Sequence, residues 1–594
     1  MLWIVCCFLS IAALAFAIVY AIVALATRYR AEKPKNPMNA LTVGTFVAGF
    51  FLHFPMYAEM FGKDILRSIL ITLHNVICLF VIDADYFFVI DNISAAPAWT
   101  QPVYEVFGAV LYVLAPILTF GFILSLFKNL SAHLKYYASF FKDAYYFSEL
   151  NERSLTLAAD IKRNNPHATI VFCDVFEQNE ESSFELIERA KELGAIRFKQ
   201  DILAINFAFH SKKAEKYFFT MSENESENLD QSLKLLQKYG NTEHAHLFVF
   251  STRIESELLL TAAEKGSMKV RRINEVRSLV NRFLYDDGKS LFDGAREQTD
   301  GTKLISAVVV GLGSHGTEMV KALTWYCQMI GYRIEIHAFD KDPLAEDKFT
   351  ALCPELMSER YNGVYVAGEA QYKITIYSGI DVETNAFAQK IVSLTDATFA
   401  FVSLGSDERN VQTATNLRML FERAHIKPSI HAVLRSSQAK EALLNATNYR
   451  GQAYGIRYIG DLESSYSEAV ILDSELEANA LARHLKWGKE EDFWRYEYNY
   501  RSSIASALHM RLRESLNIPG ANKAEEDLTE AEIAILEPLE HCRWNAYMRS
   551  EGYVYSGSPD SASRNDLGKM HHNLVVFDDL SEEDKRKDRR VGSK

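Results

Sequence analysis

The chain has 594 residues, enough for three or four domains, and 24% of them are charged and 48% hydrophobic, a composition that argues against wholesale disorder. The formal net charge of −13 argues against a general nucleic-acid-binding protein, because binding to phosphates requires a cationic surface. Seven scattered cysteines without a CxxC pair argue against a disulfide framework or a zinc site and favour reduced thiols in the cytoplasm.

The N-terminal part, residues 1–127, is predicted to be a transmembrane helical region. Residues 2–26 carry no charge and are long enough to cross a bilayer core of about 30 Å. A secretory signal would instead have a basic start and a shorter apolar stretch. Three further apolar runs cover residues 39–57, 66–82 and 103–127, so hydropathy alone predicts four spans.

The distribution of basic residues leaves three and four spans open. Cytoplasmic loops are enriched in Lys and Arg, and such residues follow both the first and the last apolar run, whereas residues 83–102 contain none. Four spans cannot place both basic ends in the cytoplasm, but three can if residues 39–60, with His53 and Pro55, are re-entrant or interfacial. For both counts we expect a multi-pass inner-membrane protein whose residues after 127 are cytoplasmic. The basic residues are Arg28, Arg30, Lys33, Lys35, Lys128, Lys135 and Lys142.

Residues 42–46, TVGTF, are similar to the TVGYG filter of potassium channels, whose carbonyl groups replace the hydration shell of the ion. The last glycine is missing and no clear pore helix precedes the segment. We therefore interpret the similarity as chance.

Beyond residue 140, short apolar runs alternate with amphipathic stretches, which predicts α/β units with parallel sheets. The clearest unit, residues 300–485 (copy two), has an apolar strand, the turn GLGSHG at 311–316, a helical pattern and a second strand that ends at Asp340. This order is typical of dinucleotide-binding folds, in which glycines let backbone N–H groups approach phosphate and the acid binds ribose hydroxyls. The alternative is a tight strand-to-helix turn without a ligand.

A second unit of the same kind, residues 140–290 (copy one), precedes it and indicates an internal duplication. Aligning the two places residues 149–154 over 311–316 and, without a gap, 219–228 over 401–410. Copy one lacks all three glycines and has two carboxylates where a phosphate would lie. We therefore predict that copy one is structural and does not bind phosphate.

Copy two resembles the TrkA-N (RCK) domain, the regulatory nucleotide-binding module of potassium channels and transporters, and copy one resembles a degenerate form of it. The resemblance implies that Gly311, Gly313 and Gly316 form a phosphate-binding turn, together with Ser314 and His315, and that Asp340 binds ribose. It further implies that Ser403, Leu404 and Gly405 line the cleft. Because His315 departs from the usual pattern, the nucleotide stays open between NAD(H), ATP and an ADP-ribose-like compound.

Two basic and aromatic segments surround copy two. Residues 269–285, between the copies, are predicted to form a basic amphipathic helix that is either a linker packed across domains or a membrane-surface element. Residues 540–557, EHCRWNAYMRSEGYVYSG, start a motif series that continues with HNLVVFDDL and resembles the RyR domain over residues 490–594. Asn573, Val576 and Tyr553 depart from that family's pattern.

The RyR resemblance implies a small, mostly helical domain that senses nucleotide-derived messengers in bacterial anti-phage systems. Aromatic faces can stack on purines and guanidinium groups can hold phosphates, and we expect the two arginines of the cluster to be solvated. The alternative is an aromatic core with charges on its surface. The candidate ligand-binding residues are His541, Arg543, Trp544, Tyr547, Arg549, Tyr553, Tyr555 and His571.

No catalytic constellation, metal-ligand spacing or Walker motif is visible, so we do not expect an enzyme. The sequence predicts N-terminal transmembrane helices, two Rossmann-like doubly wound domains and a small C-terminal domain. We expect a receptor-effector in the lipid bilayer that binds a nucleotide-derived signal and forms a homo-oligomer, since a three- or four-helix bundle cannot enclose a wide pore alone. The alternatives are a potassium channel or transport regulator gated by NAD(H) or ATP, and a membrane-tethered scaffold.

Overall fold

The structure, a computed structural model, describes residues 1–26, 37–126, 128–175, 181–207, 211–443, 445–472 and 474–592. The chain folds as two compact units, Met1–Ala138 and Ser139–Lys594. The basic residues 28–35, on which the topology prediction depends in part, lie outside the described residues.

The first unit is helical, and three of its helices are long and apolar enough to cross a membrane, over Leu2–Val23, Ala40–Phe61 and Gln101–Phe120. Residues 39–60, which would be re-entrant or interfacial in the three-span alternative, lie within one continuous helix of 25 residues that is itself long and apolar enough to cross a membrane. The shorter apolar helix has 16 residues and covers Ile65–Phe80. The helices are α1 (Leu2–Ala26), α2 (Pro37–Phe61), α3 (Ile65–Phe80), α4 (Tyr86–Asn92), α5 (Gln101–Leu126) and α6 (Lys128–Ala138).

Several polar side chains in the interior of this unit are hydrogen-bonded, among them Ser10, His53 and Thr72. His53 is buried on α2 and lies 2.8 Å from the carbonyl oxygen of Gly49 and 3.1 Å from the hydroxyl of Tyr112. Large apolar side chains such as Phe8 and Phe16 are exposed. Residues 42–46 are helical, so their backbone carbonyls cannot line an ion filter in this conformation, which agrees with chance similarity.

Copy one forms a six-stranded parallel sheet with strand order β3-β2-β1-β4-β5-β6, the order of dinucleotide-binding folds. The expectation of a helix over residues 269–285 is wrong for residues 269–273, which form an edge strand of this sheet. The helix starts after this strand, at Glu275. The elements are β1 (Ala144–Phe147), α7 (Glu152–Asn164), β2 (Thr169–Phe172), α8 (Glu181–Glu192), β3 (Ile196–Arg197), β4 (Lys216–Thr220), α9 (Glu225–Tyr239), β5 (Ala245–Phe250), α10 (Ile254–Ala262), β6 (Lys269–Ile273), α11 (Glu275–Asp287) and α12 (Ser290–Asp293).

Copy two repeats this topology, with the parallel order β10-β9-β8-β11-β12-β13 and one short antiparallel strand, β7, beside β8. Its elements are β7 (Arg296–Glu297), β8 (Lys303–Val310), α13 (Ser314–Tyr326), β9 (Tyr332–Asp340), α14 (Ala345–Leu352), α15 (Pro354–Met357), β10 (Tyr372–Ser378), α16 (Asn385–Ser393), β11 (Phe399–Val402), α17 (Asp407–Arg423), β12 (Ser429–Val433), α18 (Ser437–Leu443) and β13 (Ile456–Ile459).

The sheet registers agree with the alignment of the two copies. Phe147 lies beside Phe219 in copy one, as Val309 lies beside Phe401 in copy two. Each copy also has an asparagine in the helix after its fourth parallel strand that donates to the end of the next strand. Asn228 donates to the carbonyl of Phe250 at 2.9 Å, and Asn410 donates to that of Val433 at 2.8 Å. The duplication predicted from sequence therefore extends to an equivalent side-chain hydrogen bond in each copy.

The C-terminal part of the chain is mostly helical and shares a hydrophobic core with copy two. Trp325 on α13 and Tyr547 on a C-terminal helix belong to this core, and their ring centroids lie 6.1 Å apart. The elements are α19 (Leu462–Ser465), α20 (Glu468–Ile471), α21 (Glu475–His484), α22 (Glu490–Arg495), α23 (Glu497–Ser515), α24 (Glu530–Ser550), β14 (Val554–Tyr555), β15 (Met570–His571) and α25 (Glu582–Gly592).

One buried carboxylate joins three parts of the second unit. Glu551, just after α24, lies 3.1 Å from Arg277 of α11, 3.3 Å from Lys321 of α13 and 3.1 Å from Arg501 of α23. Burial alone would raise the pKa of Glu551, but these three cations hold it well below its ordinary value. The carboxylate is therefore ionised and neutralises cations from copy one, copy two and the helical region together.

Replacing Glu551 by glutamine should destabilise the second unit strongly, because the buried Lys321 and the partly buried Arg277 and Arg501 lose their shared anion. We expect Glu551→Gln to cost about 3–5 kcal/mol of unfolding free energy and to lower the thermal midpoint of the full-length protein in detergent. The wild-type contribution is present above the ordinary pKa of 4.5 and is lost as the pH falls towards the lower folded-state pKa. The exposed Glu441 is the control, and an equal midpoint for Glu551→Gln and Glu441→Gln at pH 7 would contradict the assignment.

Candidate functional site

A large cleft lies where the carboxyl ends of the two sheets face each other. Its volume is about 1080 Å³, and its lining comes from both copies and from α11. We call it the inter-copy cleft. Ligands of doubly wound folds bind outside the carboxyl ends of the strands, so this is the expected position for a nucleotide. Of the predicted copy-two residues, the lining includes Gly311, Gly313, Ser314, His315, Asp340, Ser403, Leu404 and Gly405.

Two of the three glycines in the turn are required by packing. Gly311 has φ +90°, and a Cβ there would lie 2.2 Å from the carbonyl oxygen of Ser403. A Cβ on Gly316 would lie 1.7 Å from the carbonyl oxygen of Gly311, which explains why Gly316 is buried behind the turn and not in the lining. Both glycines shape the turn.

Gly313 is different, because nothing lies within 4 Å of an added Cβ and its φ of −65° is open to any residue. It is the N-cap of α13, and no side chain caps this helix end. The first backbone N–H groups of α13 therefore face the cleft without a side-chain acceptor. Open space and free N–H groups at one point are suited to a phosphate.

Asp340 lies at the end of β9, as predicted, and holds the glycine turn in place. One carboxylate oxygen accepts from the amide of Leu312 at 2.6 Å and the other from the amide of Asp342 at 2.8 Å. Each oxygen keeps a lone pair for a further donor such as a ribose hydroxyl. On the other side of the turn, the amide of Ser403 donates to Val310 at 2.9 Å.

His315, in the first turn of α13, is half-buried. Burial and the charge of Arg435 lower its pKa, while the nearby carboxylate of Glu275 opposes this shift. The imidazole is therefore neutral at pH 7 and can either donate or accept a hydrogen bond.

Five positions show how the charge of the two copies has diverged around equivalent turns. Copy two has two glycines and three cations at these positions, and copy one has three glutamates and two uncharged side chains. Among the described residues, none forms an ion pair with the three cations, all of which line the inter-copy cleft. The equivalent pairs are Glu149 and Gly311, Val175 and Lys341, Glu223 and Gly405, Glu227 and Arg409, and Thr252 and Arg435.

Sequence reasoning missed Lys341, Arg409 and Arg435 as candidate ligand-binding residues. The gap-free alignment already placed Arg409 over Glu227, so the charge reversal was present in the sequence. Only the structure shows that these three side chains line one cleft.

In copy one, side chains of the copy itself hydrogen-bond to the backbone amides of the turn. Asn151 caps α7 by accepting from the amide of Ser154, whose hydroxyl accepts from the amide of Asn151 in return. The carboxylate of Glu149 accepts from the amide of Glu223 at 3.2 Å. The groups that would bind phosphate are thus occupied by the side chains of copy one itself, which supports the prediction that copy one binds none.

The C-terminal cluster differs from expectation in one respect. The prediction that Arg543 and Arg549 are solvated is wrong, since they are 1% and 0% exposed. Arg543 donates to Glu540 at 2.7 Å, and Arg549 donates to Glu369 at 2.7 Å. The partner of Arg549 comes from copy two, 180 residues away in sequence, so local spacing could not reveal it.

Three other members of the cluster do lie together. The Trp544 ring is half-buried, contacts His571 edge to face with centroids 4.9 Å apart and lies 6.0 Å from His541. Burial, with a smaller effect of Arg564, lowers the pKa of His571 to about 3, so this ring is neutral. Tyr547 lies apart, buried against copy two.

The two remaining tyrosines lie next to β14. The hydroxyl of Tyr553 donates to Asp566 at 3.5 Å, and the amide of Tyr555 donates to Glu355 at 2.7 Å. The structure therefore brings together His541, Trp544 and His571, and Tyr555 pairs with His571 in the two-stranded sheet. The guanidinium of Arg543 lies 5.9 Å from the Tyr547 ring, and Arg549 and the amide of Tyr555 share the carboxylate of Glu355.

No protein-family model matches the chain, and no curated protein is significantly similar to it. Among the described residues, no group of three or more His, Cys, Asp or Glu side chains could hold a metal ion.

Alanine substitutions of Gly313 and Gly316 should have different effects on the thermal midpoint. Gly313→Ala should leave the thermal midpoint of the full-length protein unchanged, because the added methyl group meets open space. Gly316→Ala should lower it by several degrees, since the methyl group would overlap a backbone oxygen. Equal midpoints for the two variants would contradict this account of the turn.

Arg549→Ala should destabilise the protein rather than act only on a ligand. Its loss leaves the buried carboxylate of Glu369 without its cation, a cost of about 3–5 kcal/mol. The exposed Arg423, which has no ion-pair partner among the described residues, provides the control Arg423→Ala. Thermal unfolding that shows no difference between the two variants would contradict the buried ion pair.

Proposed function

We propose that this protein is a membrane-embedded receptor-effector that binds a nucleotide-derived messenger in the inter-copy cleft and in response alters its membrane helices. The observation that carries the proposal is the charge reversal between the copies. Copy two presents Lys341, Arg409 and Arg435 to the cleft beside an uncapped helix end. Unpaired cations next to free backbone N–H groups favour a polyanion, and a nucleotide phosphate fits both.

The nucleotide would be held by residues in separate roles. The amides of α13 and the three cations would bind the phosphates, and Asp340 would accept from ribose hydroxyls. The neutral imidazole of His315 would hydrogen-bond to a phosphate oxygen or the ribose. The resemblance of copy two to TrkA-N domains supports NAD(H), ATP or an ADP-ribose-like compound as the ligand class.

A path for the response starts at α13. Its N-terminus faces the cleft, and one turn further along Glu318 lies 2.9 Å from Arg277, while Lys321 contacts Glu551. A phosphate that displaces α13 would therefore strain the ion pairs that join copy two to α11 and to the helical region. The resemblance of residues 490–594 to RyR domains supports a role of that region in the same response.

The membrane part of the proposal rests on the three helices that can cross a bilayer. An odd number of spans would place the basic ends after α1 and after α5 on the same side, which the positive-inside rule makes the cytoplasm. We propose an inner-membrane location with cytoplasmic residues after 127, a homo-oligomeric assembly that forms or opens a pore, and a role in anti-phage defence.

Binding to the full-length protein in detergent tests the proposal. Calorimetric titration with ATP, ADP, NAD⁺, NADH and ADP-ribose should show binding of at least one ligand. Arg435→Gln should weaken it about ten- to hundredfold, as the loss of one charge-assisted contact of about 1.5–3 kcal/mol requires.

Arg423→Gln is the matched control, because Arg423 is an exposed arginine of copy two outside the cleft. Dye release from liposomes that contain the protein should depend on the same ligand and on Arg435. Absence of binding by every nucleotide, or equal binding by Arg435→Gln and Arg423→Gln, would refute the proposed function.

A further inference from the structure

The inter-copy cleft has two chemically different walls. Its volume of about 1080 Å³ lies just above the range of roughly 300–1,000 Å³ that pockets for single small ligands occupy. The copy-two wall carries the three unpaired cations and the uncapped end of α13. The opposite wall belongs to copy one and includes Arg153, Glu223, Phe250 and Thr252.

The copy-one wall offers no cation to a phosphate. Arg153 is committed, because it donates to Glu275 at 3.0 Å and to the carbonyl of Ser222 at 3.3 Å. Tyr466 donates its hydroxyl to the same Glu275. What this wall offers is the exposed carboxylate of Glu223, an acceptor that suits an uncharged base or sugar.

Two features of the copy-one wall point to such a group. Glu223 is exposed to the cleft, and its carboxylate has no hydrogen-bond donor or ion-pair partner among the described residues. Phe250 of copy one stacks on Tyr466, a residue after β13 that packs on the core of copy one, with ring centroids 6.3 Å apart, and both residues line the cleft. The carboxylate of Glu223 can accept from ribose hydroxyls or from the amino group of a base.

The two walls are held in one frame by α11. Glu275, at the start of this helix, bonds Arg153 of copy one and acts electrostatically on His315 of copy two, the residue that aligns with Arg153. Further along α11, Leu279 and Phe283 form an apolar floor between the walls. The spacing of the walls is thus built into the fold before any ligand arrives.

We propose that the messenger bridges the two copies, with its phosphates at the glycine turn of copy two and a second nucleoside or sugar on the copy-one wall. The ligand class is therefore a dinucleotide or a nucleoside diphosphate sugar rather than a mononucleotide. Copy one, which binds no phosphate itself, supplies the specificity for the far end. This inference rests on the proposed function, since it presumes that copy two binds the phosphates.

A comparison of short and long ligands tests the bridge in the full-length protein. The probes are ADP, ADP-ribose, NAD⁺ and the linear dinucleotide pApA, titrated by calorimetry. At least one of the long probes should bind ten times more tightly than ADP. Glu223→Gln should reduce that advantage about tenfold and leave ADP binding unchanged. The control is Glu243→Gln, because Glu243 is an exposed glutamate of copy one outside the cleft.

The outcomes separate this inference from the proposed function. If ADP binds and no long probe exceeds it, or if Glu223→Gln and Glu243→Gln bind the long probes equally, the bridge is refuted while phosphate binding by copy two stands. If no probe binds, both proposals fail. Because Glu223 is exposed and its carboxylate has no partner in the described chain, its substitution should not change the thermal midpoint, so a loss of affinity cannot be assigned to unfolding.

Discussion

The second unit depends on one shared anion, the carboxylate of Glu551. It neutralises Arg277, Lys321 and Arg501, which come from the helix after copy one, the glycine-turn helix and the helical region. A buried carboxylate with three cations is stable only while all of them stay close, because each buried charge left alone is costly. A movement of one of these elements is therefore felt by the other two, and they behave as one body.

Within that body the duplicated folds have diverged in charge but not in backbone. Strand order, sheet register and the bond from Asn228 or Asn410 to the next strand are the same in both copies. The divergence lies at the turns, where a glutamate of copy one aligns with a glycine or a cation of copy two. Such changes alter the charge of the cleft and leave the strand order and register of the sheets the same.

The α/β architecture of the second unit could be predicted from sequence because strand, turn and helix patterns are local. Gly311, Gly316 and Asp340 were found in this way, and the structure gives each a packing or hydrogen-bonding reason. The buried state of Arg549 could not be predicted, because its partner Glu369 is remote in sequence. The hydrogen-bond partners of His53 in the first unit could not be predicted either. His53 weakened the hydropathy of its helix, but Tyr112 and Gly49 satisfy its ring within the bundle.

The side-chain cap of α7 has a mechanical consequence. In copy two, the rigidity of the turn would vary with the concentration of a ligand. In copy one, the side chains of Asn151, Ser154 and Glu149 form the hydrogen bonds of the turn, and because they belong to the chain they are always present. Because these side chains cannot dissociate, the turn of copy one has the same rigidity with and without a ligand in the cleft. If a ligand displaces α13 as proposed, copy one therefore provides a turn of constant rigidity, and the displacement acts on the half of the unit that leads to Glu551.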